Sequence, residues 1–242
     1  MKSKFKGETS MEKAKKILIP AVIALILIGG SIGGYFIYES INYFKTNNAS
    51  VSANMVNVMP LLSGTISSWE VREGEDVKQG QLLGKQDLSS MVNSSKIDQN
   101  ALENSADSIL SKAEIKAPID GKIVQSNVIK GVTASAGSTV AVVADTSDLF
   151  IKANVEETDI FKIKEGQRVK IKIDAYPGKN FTGYVESIGA ATQNAFSQYA
   201  SLNTSGTYSK VTQLIPVRIT LINDEELPMV IGMNATVKIS IK

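Results

Sequence analysis

The chain has 242 residues, enough for one or two compact domains, each with a real core. It holds no cysteine and no histidine, which excludes a disulfide framework, a thiolate nucleophile, zinc–thiolate ligation and the commonest general base. The formal charge of +2 hides an uneven spread: Lys2, Lys4, Lys6, Lys13, Lys15 and Lys16 face only Glu8 and Glu12, and the remainder is slightly acidic, with no basic patch suited to nucleic acid.

Residues 1–16 form this basic tail. The next stretch, ILIPAVIALILIGGSIGGYFIY at 17–38, carries no charge. As a helix it spans about 33 Å, enough for a hydrocarbon core of about 30 Å. Pro20 falls in the first turn, where a missing N–H costs little, and Tyr35, Phe36 and Tyr38 sit where aromatic rings favour the interface. A transmembrane helix is predicted over 17–38. The lysines before it place the N-terminus in the cytoplasm and everything after Glu39 outside, as a single-pass protein of the cell membrane. A cleaved signal would have a shorter apolar region and an A-x-A-like site, so the pattern favours a retained anchor. Gly29/Gly33 and Gly30/Gly34 are spaced to let two such helices approach closely.

A polar stretch, TNNASVSAN at 46–54, precedes a change to period-two strands and glycine turns. Gly64, Gly74 and Gly80 are separated by ten and then six residues; Gly121, Gly131 and Gly137 repeat both intervals, and Pro60 and Pro118 precede the two series. Glycine serves turns that demand positive φ, and proline suits a strand entry or edge. Two interlocking half-motifs sharing one β core are predicted at 55–86 and 113–146. Between them, Leu88 to Lys112 lacks proline and glycine, and Ile97, Ala101, Leu102, Ala106, Ile109 and Leu110 recur at helical spacing. A short helical hairpin, or one helix and a loop, is predicted over 87–112, with a solvated linker as the alternative.

From 147 to 242 the runs FIKANV, RVKIKID, PVRITL and ATVKISIK alternate as strands. Glu156, Glu157 and Asp159 are an acidic cluster of the kind used in metal or acid–base chemistry. Their place between two strands predicts a solvated turn or short helix instead. DAYPGKNFTG carries a turn signal. Ala191 to Lys210, rich in Ser, Thr, Asn and Gln with Phe196, Tyr199 and Tyr208 interspersed, predicts a long exposed loop, either a partner contact or disordered.

The runs GTISSWEVREGEDVKQGQLLGKQD and AEIKAPIDGKIVQSNVIKGVTASAGSTVAVVAD resemble the two half-lipoyl segments of HlyD/EmrA-type membrane fusion proteins, the adaptor subunits of efflux and secretion pumps. LFIKANVEETDIFKIKEGQRVKIKIDAYPGKNFTGYVESI and LIPVRITL…GMNATVKISI resemble that family's β-barrel and adjoining strands, and the order of segments is the specific feature. The resemblance implies a mainly β protein: an N-terminal transmembrane helix, a split lipoyl/biotinyl-like β module with a short helical insertion, then a β-barrel and membrane-proximal strands. It implies a non-enzymatic adaptor without cofactor or metal. Such an adaptor forms homo-oligomers and couples an inner-membrane transporter, of ABC or major-facilitator type, to export of a drug, peptide or toxin. Relatives that dock an outer-membrane channel carry an Arg, Leu and Ser motif at the hairpin tip. The insertion here has no arginine, so that contact is not carried over. A modified carrier lysine is not carried over either, because neither Lys85 nor Lys96 has the flanking pattern that modifying enzymes read. The alternative function is a cell-envelope binding or sensor protein that reuses the same modules.

Overall fold

In a computed structural model the protein is described over residues 26–31, 33–87, 110–195, 212–222 and 228–241. The described part is mainly β. Its strands are β1 (Tyr43–Val58), β2 (Gly64–Trp69), β3 (Asp76–Val77), β4 (Leu82–Asp87), β5 (Glu114–Lys116), β6 (Gly121–Ser126), β7 (Thr133–Ala134), β8 (Ala141–Glu156), β9 (Arg168–Ile173), β10 (Phe181–Ile188), β11 (Leu214–Ile222) and β12 (Asn234–Ser240). They fall into two compact units. One takes the residues up to Ala49 together with Ala153–Asn223 and Ala235–Lys242, and the other takes Ser50–Lys152 and Asp224–Asn234. Strands β1 and β8 each contribute to both.

In the first unit the strand order is β1-β12-β9-β10-β11-β8, and a further β1–β8 pairing returns the sheet on itself as a six-stranded barrel. Closure leaves no unpaired edge. Period-two patterning drives it: Val169, Ile171 and Ile173 of β9 point inward and Arg168, Lys170 and Lys172 outward. Val237 and Ile239 of β12 and Val217 and Ile219 of β11 complete the apolar lining. Ahead of the barrel, residues 26–31 and 33–42 are helical, and β1 begins at Tyr43 with no linker. Much of the predicted span 17–38 lies outside the described residues. Among those described, no helix is long and apolar enough to cross a membrane.

The polar stretch TNNASVSAN is not a lead-in to the strands but the body of β1. Ala49, Val51 and Ala53 alternate inward between polar neighbours, and these small apolar residues hid a period-two pattern inside a polar composition.

The second unit has two four-stranded layers. One is β5-β4-β2-β7, and the other joins β8, β6 and β3 to the end of β1, where Val140 N–H donates to Val58 O at 2.9 Å. A shift of 57 residues, as from Gly64 to Gly121, carries one half of the unit onto the other. β2 pairs β7 as Gly64↔Ala134 and Thr65↔Thr133; β6 pairs β3 as Gly121↔Val77 and Lys122↔Asp76. Even the irregularities match, since a bulge between Ile66 and Ser68 in β2 recurs between Ile123 and Gln125 in β6. The core follows the same relation: Val58 with Ile115, Ile66 with Ile123, Val77 with Ala134 and Leu83 with Val140. Neither half could bury these side chains alone. The segment between the halves, 88–109, lies outside the described residues, and so does the helical insertion expected there.

Candidate functional site

The turn glycines tie the halves together. Gly74 N–H donates to Ile123 O at 2.8 Å, and Gly131 N–H donates to Ile66 O at 2.8 Å. In return Ile66 N–H donates to Val132 O and Ile123 N–H to Glu75 O. Gly74 and Gly131 have φ of 85° and 91°, and Gly80 and Gly137 have 80° and 76°, a region that side chains with a Cβ rarely enter. Gly121 is needed for close approach as well: a Cβ there would lie 2.1 Å from Ala144 O. Gly64 opens β2 and is buried.

The two prolines do not occupy matching places. Pro60 O accepts the Gly137 N–H, while the corresponding acceptor for Gly80 N–H is Ala117 O, so Pro118 stands one position later. Its carbonyl instead accepts from Gln79 Nε2 at 3.1 Å. Each half thus closes the other's second turn through the carbonyl at its entry. Trp69 and Ser126, equivalent under the same shift, meet directly through an indole N–H donated to Ser126 Oγ at 3.1 Å.

The strands on either side of 88–109, β4 and β5, pair with each other. Lys85 of β4 sits opposite Glu114 of β5, and Glu114 also pairs Lys116 at 2.9 Å. Lys116 and then Lys85 hold the Glu114 carboxyl below its usual range. Lys85 is therefore engaged as an ion-pair partner at the foot of the insertion, 3.6 Å from Glu114. Gln86, one residue on, is buried; its Oε1 has no hydrogen-bond partner, and its Nε2 reaches Gly64 O only at 3.5 Å.

A second feature joins the helix to the barrel. Asn42 Nδ2 donates to Tyr38 O at 2.7 Å, and Ile241 N–H donates to Asn42 O at 2.9 Å. Glu39 forms a 2.5 Å ion pair with Lys238 of β12, whose ammonium lies 4.2 Å from the Tyr43 ring centroid. The hydrogen bond and charge of Lys238 hold Glu39 below its usual range, and the bond to Glu39 raises Lys238. The sequence gives no sign of this joint, because its partners lie 199 positions apart.

The acidic cluster does not converge. Glu156 ends β8, Asp159 precedes a 3-10 turn at Ile160–Lys162, and the Asp159 carboxylate pairs with Lys162 at 2.6 Å. Glu156 and Asp159 border a polar cavity of about 740 Å³ in the barrel unit, shared with Phe44, Lys45, Asn48 and Asn154. Asn154 donates to Asn48 Oδ1 at 2.9 Å and accepts from Gln193. Among the described residues no group of three carboxylates is placed to hold a metal ion. Most of the Ala191–Lys210 loop lies outside the described residues.

Residues 54–146 match the family described as "RND MFP, barrel-sandwich hybrid domain", and residues 149–239 match the "YknX-like beta-barrel domain". The chain is 37% identical to YhbJ of Bacillus subtilis (strain 168), named as an efflux system component, over 97% of each chain. It is 36% identical to the multidrug export protein EmrA of Haemophilus influenzae, over 60% of this chain but 39% of that one. In fold it is similar to a MacA–MexA chimeric protein containing the Pseudomonas aeruginosa MexA α-hairpin domain. That likeness has a TM-score of 0.65 and 22% identity, and covers 83% of this chain and 82% of the other.

Proposed function

Because the chain belongs to the membrane fusion protein family of efflux adaptors, we propose that it is a single-pass, extracytoplasmic adaptor of a polytopic transporter of the cell membrane. It couples that transporter, an ABC exporter or a major-facilitator pump, to export of a drug, peptide or toxin. The observation that carries this reading is the order of parts. An apolar helix runs without a linker into a closed barrel, and a two-half module is interrupted in sequence between Asp87 and Glu114. Such a chain acts by binding and by self-assembly, not by bond chemistry. Its rigid β units set distances and angles, which suits a conduit built from several copies. The brevity of the 87–112 insertion and its lack of arginine fit an envelope in which no outer-membrane channel is reached.

Deletion of residues 51–242 with the anchor left in place is expected to abolish export of the transporter's substrate from cells. Unchanged export in that deletion would sink the proposal. Crosslinking in native membranes separates it from an envelope sensor, since an adaptor captures a polytopic transporter.

A further inference from the structure

The most exposed large apolar side chain among the described residues is Phe161, at 89%. Its position follows from topology. β8 and β9 are not neighbours in the barrel, so the segment that links them, 157–167, has to cross an open end. Ile160 and Ile163 of that segment are buried at 8% and 3%, which makes them the plug. Phe161, between them, points away from the barrel.

The end in question is the one from which the helix departs. The Asn154–Asn48 hydrogen bond sets the end of β8 beside the start of β1, and Asp159 shares a cavity with Phe44 and Lys45. The helix is joined there without a linker, through Asn42 and the Glu39–Lys238 pair. Its described large apolar side chains, from Ile26 to Ile41, are 60–65% exposed, so its apolar surface is not packed on the barrel.

Distance then selects the occupant. If the aromatic pair Tyr35 and Tyr38 marks the edge of the hydrocarbon, Asn42 lies about 6 Å beyond it at 1.5 Å per residue. The polar layer on each side of a bilayer is about 5–8 Å thick, so the barrel end begins inside it. We propose that the helix-side end of the barrel rests in the headgroup layer of the bilayer, with Phe161 as the side chain that enters the acyl boundary. The carboxylate nearest in sequence, Asp159, arrives paired with Lys162. Lys164 and Arg168 are interspersed with Glu156, Glu157 and Glu165, and none of the five makes an ion pair among the described residues, so Phe161 and not net charge carries the approach to the bilayer. This rests on the single-pass reading of the helix.

The test uses the full chain in vesicles of phosphatidylcholine and phosphatidylglycerol, with and without bromine on the upper acyl carbons. Trp69 is the sole tryptophan, so the wild-type chain supplies the blank for Phe161→Trp, a mild change at an exposed site. An inserted ring lies about 5–10 Å into the headgroup and acyl boundary, so the added emission should be blue-shifted and fall by roughly half in brominated lipid. Release of the chain by an alkaline wash would overturn the anchored reading and this proposal with it. Retention of the chain with residue 161 unquenched and solvent-like would overturn the proposal alone, and would leave a protein partner as the occupant of Phe161.

Discussion

Gln86→Val should stabilise the two-half unit. The shift that carries Ile66 onto Ile123 carries Gln86 onto Val143, which is fully buried, so the fold itself shows what this position accepts. Gln86 is buried at 6% exposure with Oε1 unpaired, and its single amide contact, to Gly64 O, is 3.5 Å long. A buried unpaired carbonyl costs about 1–3 kcal/mol, and a contact that long returns at most about 0.5 kcal/mol. The net gain on substitution is about 1–2 kcal/mol. Trp69 of β2 sits opposite Gly84 of β4, the strand that carries Gln86, with ring carbons 2.6 Å and 3.2 Å from where a Gly84 Cβ would stand, so its emission reports on this unit. In guanidinium, where the slope for a small domain is about 4 kcal/mol per molar, the unfolding midpoint of the detergent-solubilised chain should rise by about 0.3–0.5 M. A midpoint lowered by a similar amount would refute the reasoning and show that Gln86 is held by contacts worth more than its unpaired oxygen costs.

Gly121→Ala and Gly74→Ala should show what a clash adds to the cost of a positive φ, since Gly121 has φ 154° and Gly74 85°. The first forces a Cβ to 2.1 Å from Ala144 O and should lose about 3 kcal/mol, whereas the second meets nothing within 4 Å but sits at φ +85° and should lose about 1–2 kcal/mol. Equal midpoints in the same Trp69 titration would contradict that ranking. The helix–barrel joint should depend on pH. Glu39 is held below its usual 4.5, so its contribution is complete above that value and is lost as pH falls through the lower folded value. Lys238 is raised above 10.5, so its contribution is complete below 10.5 and is lost as pH climbs past the folded value. The chain lacks cysteine, so spin labels at Ser40→Cys and Lys170→Cys can be placed cleanly. Their distance distribution should be narrow at neutral pH and broaden in acid or in Glu39→Gln; a distribution indifferent to both would remove the pair from the joint.

What the sequence disclosed and what it withheld divide along physical lines. The ten-and-six spacing was legible because positive φ leaves few choices besides glycine, so turn geometry is written in residue identity at Gly74, Gly80, Gly131 and Gly137. The prolines matched only in type. Gly80 and Gly137 each need a carbonyl acceptor, which any residue supplies, so Ala117 serves where Pro60 does and Pro118 is free to sit one place on. The first part of β1 went unread because Ala49, Val51 and Ala53 are too small to mark an apolar face among Asn and Ser. β8 runs unbroken through residue 146, so no turn marks the passage from one unit to the next. Gln86 and the Glu39–Lys238 pair depend on partners distant in sequence, which local periodicity cannot encode.

The pairing of halves also bears on how an adaptor can keep its geometry. Each half supplies the carbonyls that accept the other's turn N–H groups, and each supplies one side of a single core. Unfolding of one half would take from the other the acceptors of its turn N–H groups and one side of its core. The two halves are therefore expected to unfold together. The insertion is planted on this unit by adjacent strands, β4 and β5, which hold its two ends at paired positions Lys85 and Glu114. At the other unit the helix enters β1 directly and is clamped through Lys238, so the barrel too has no slack at its start. Paired strands at one attachment and the Glu39–Lys238 clamp at the other suit a coupling element whose separations are set by its β units.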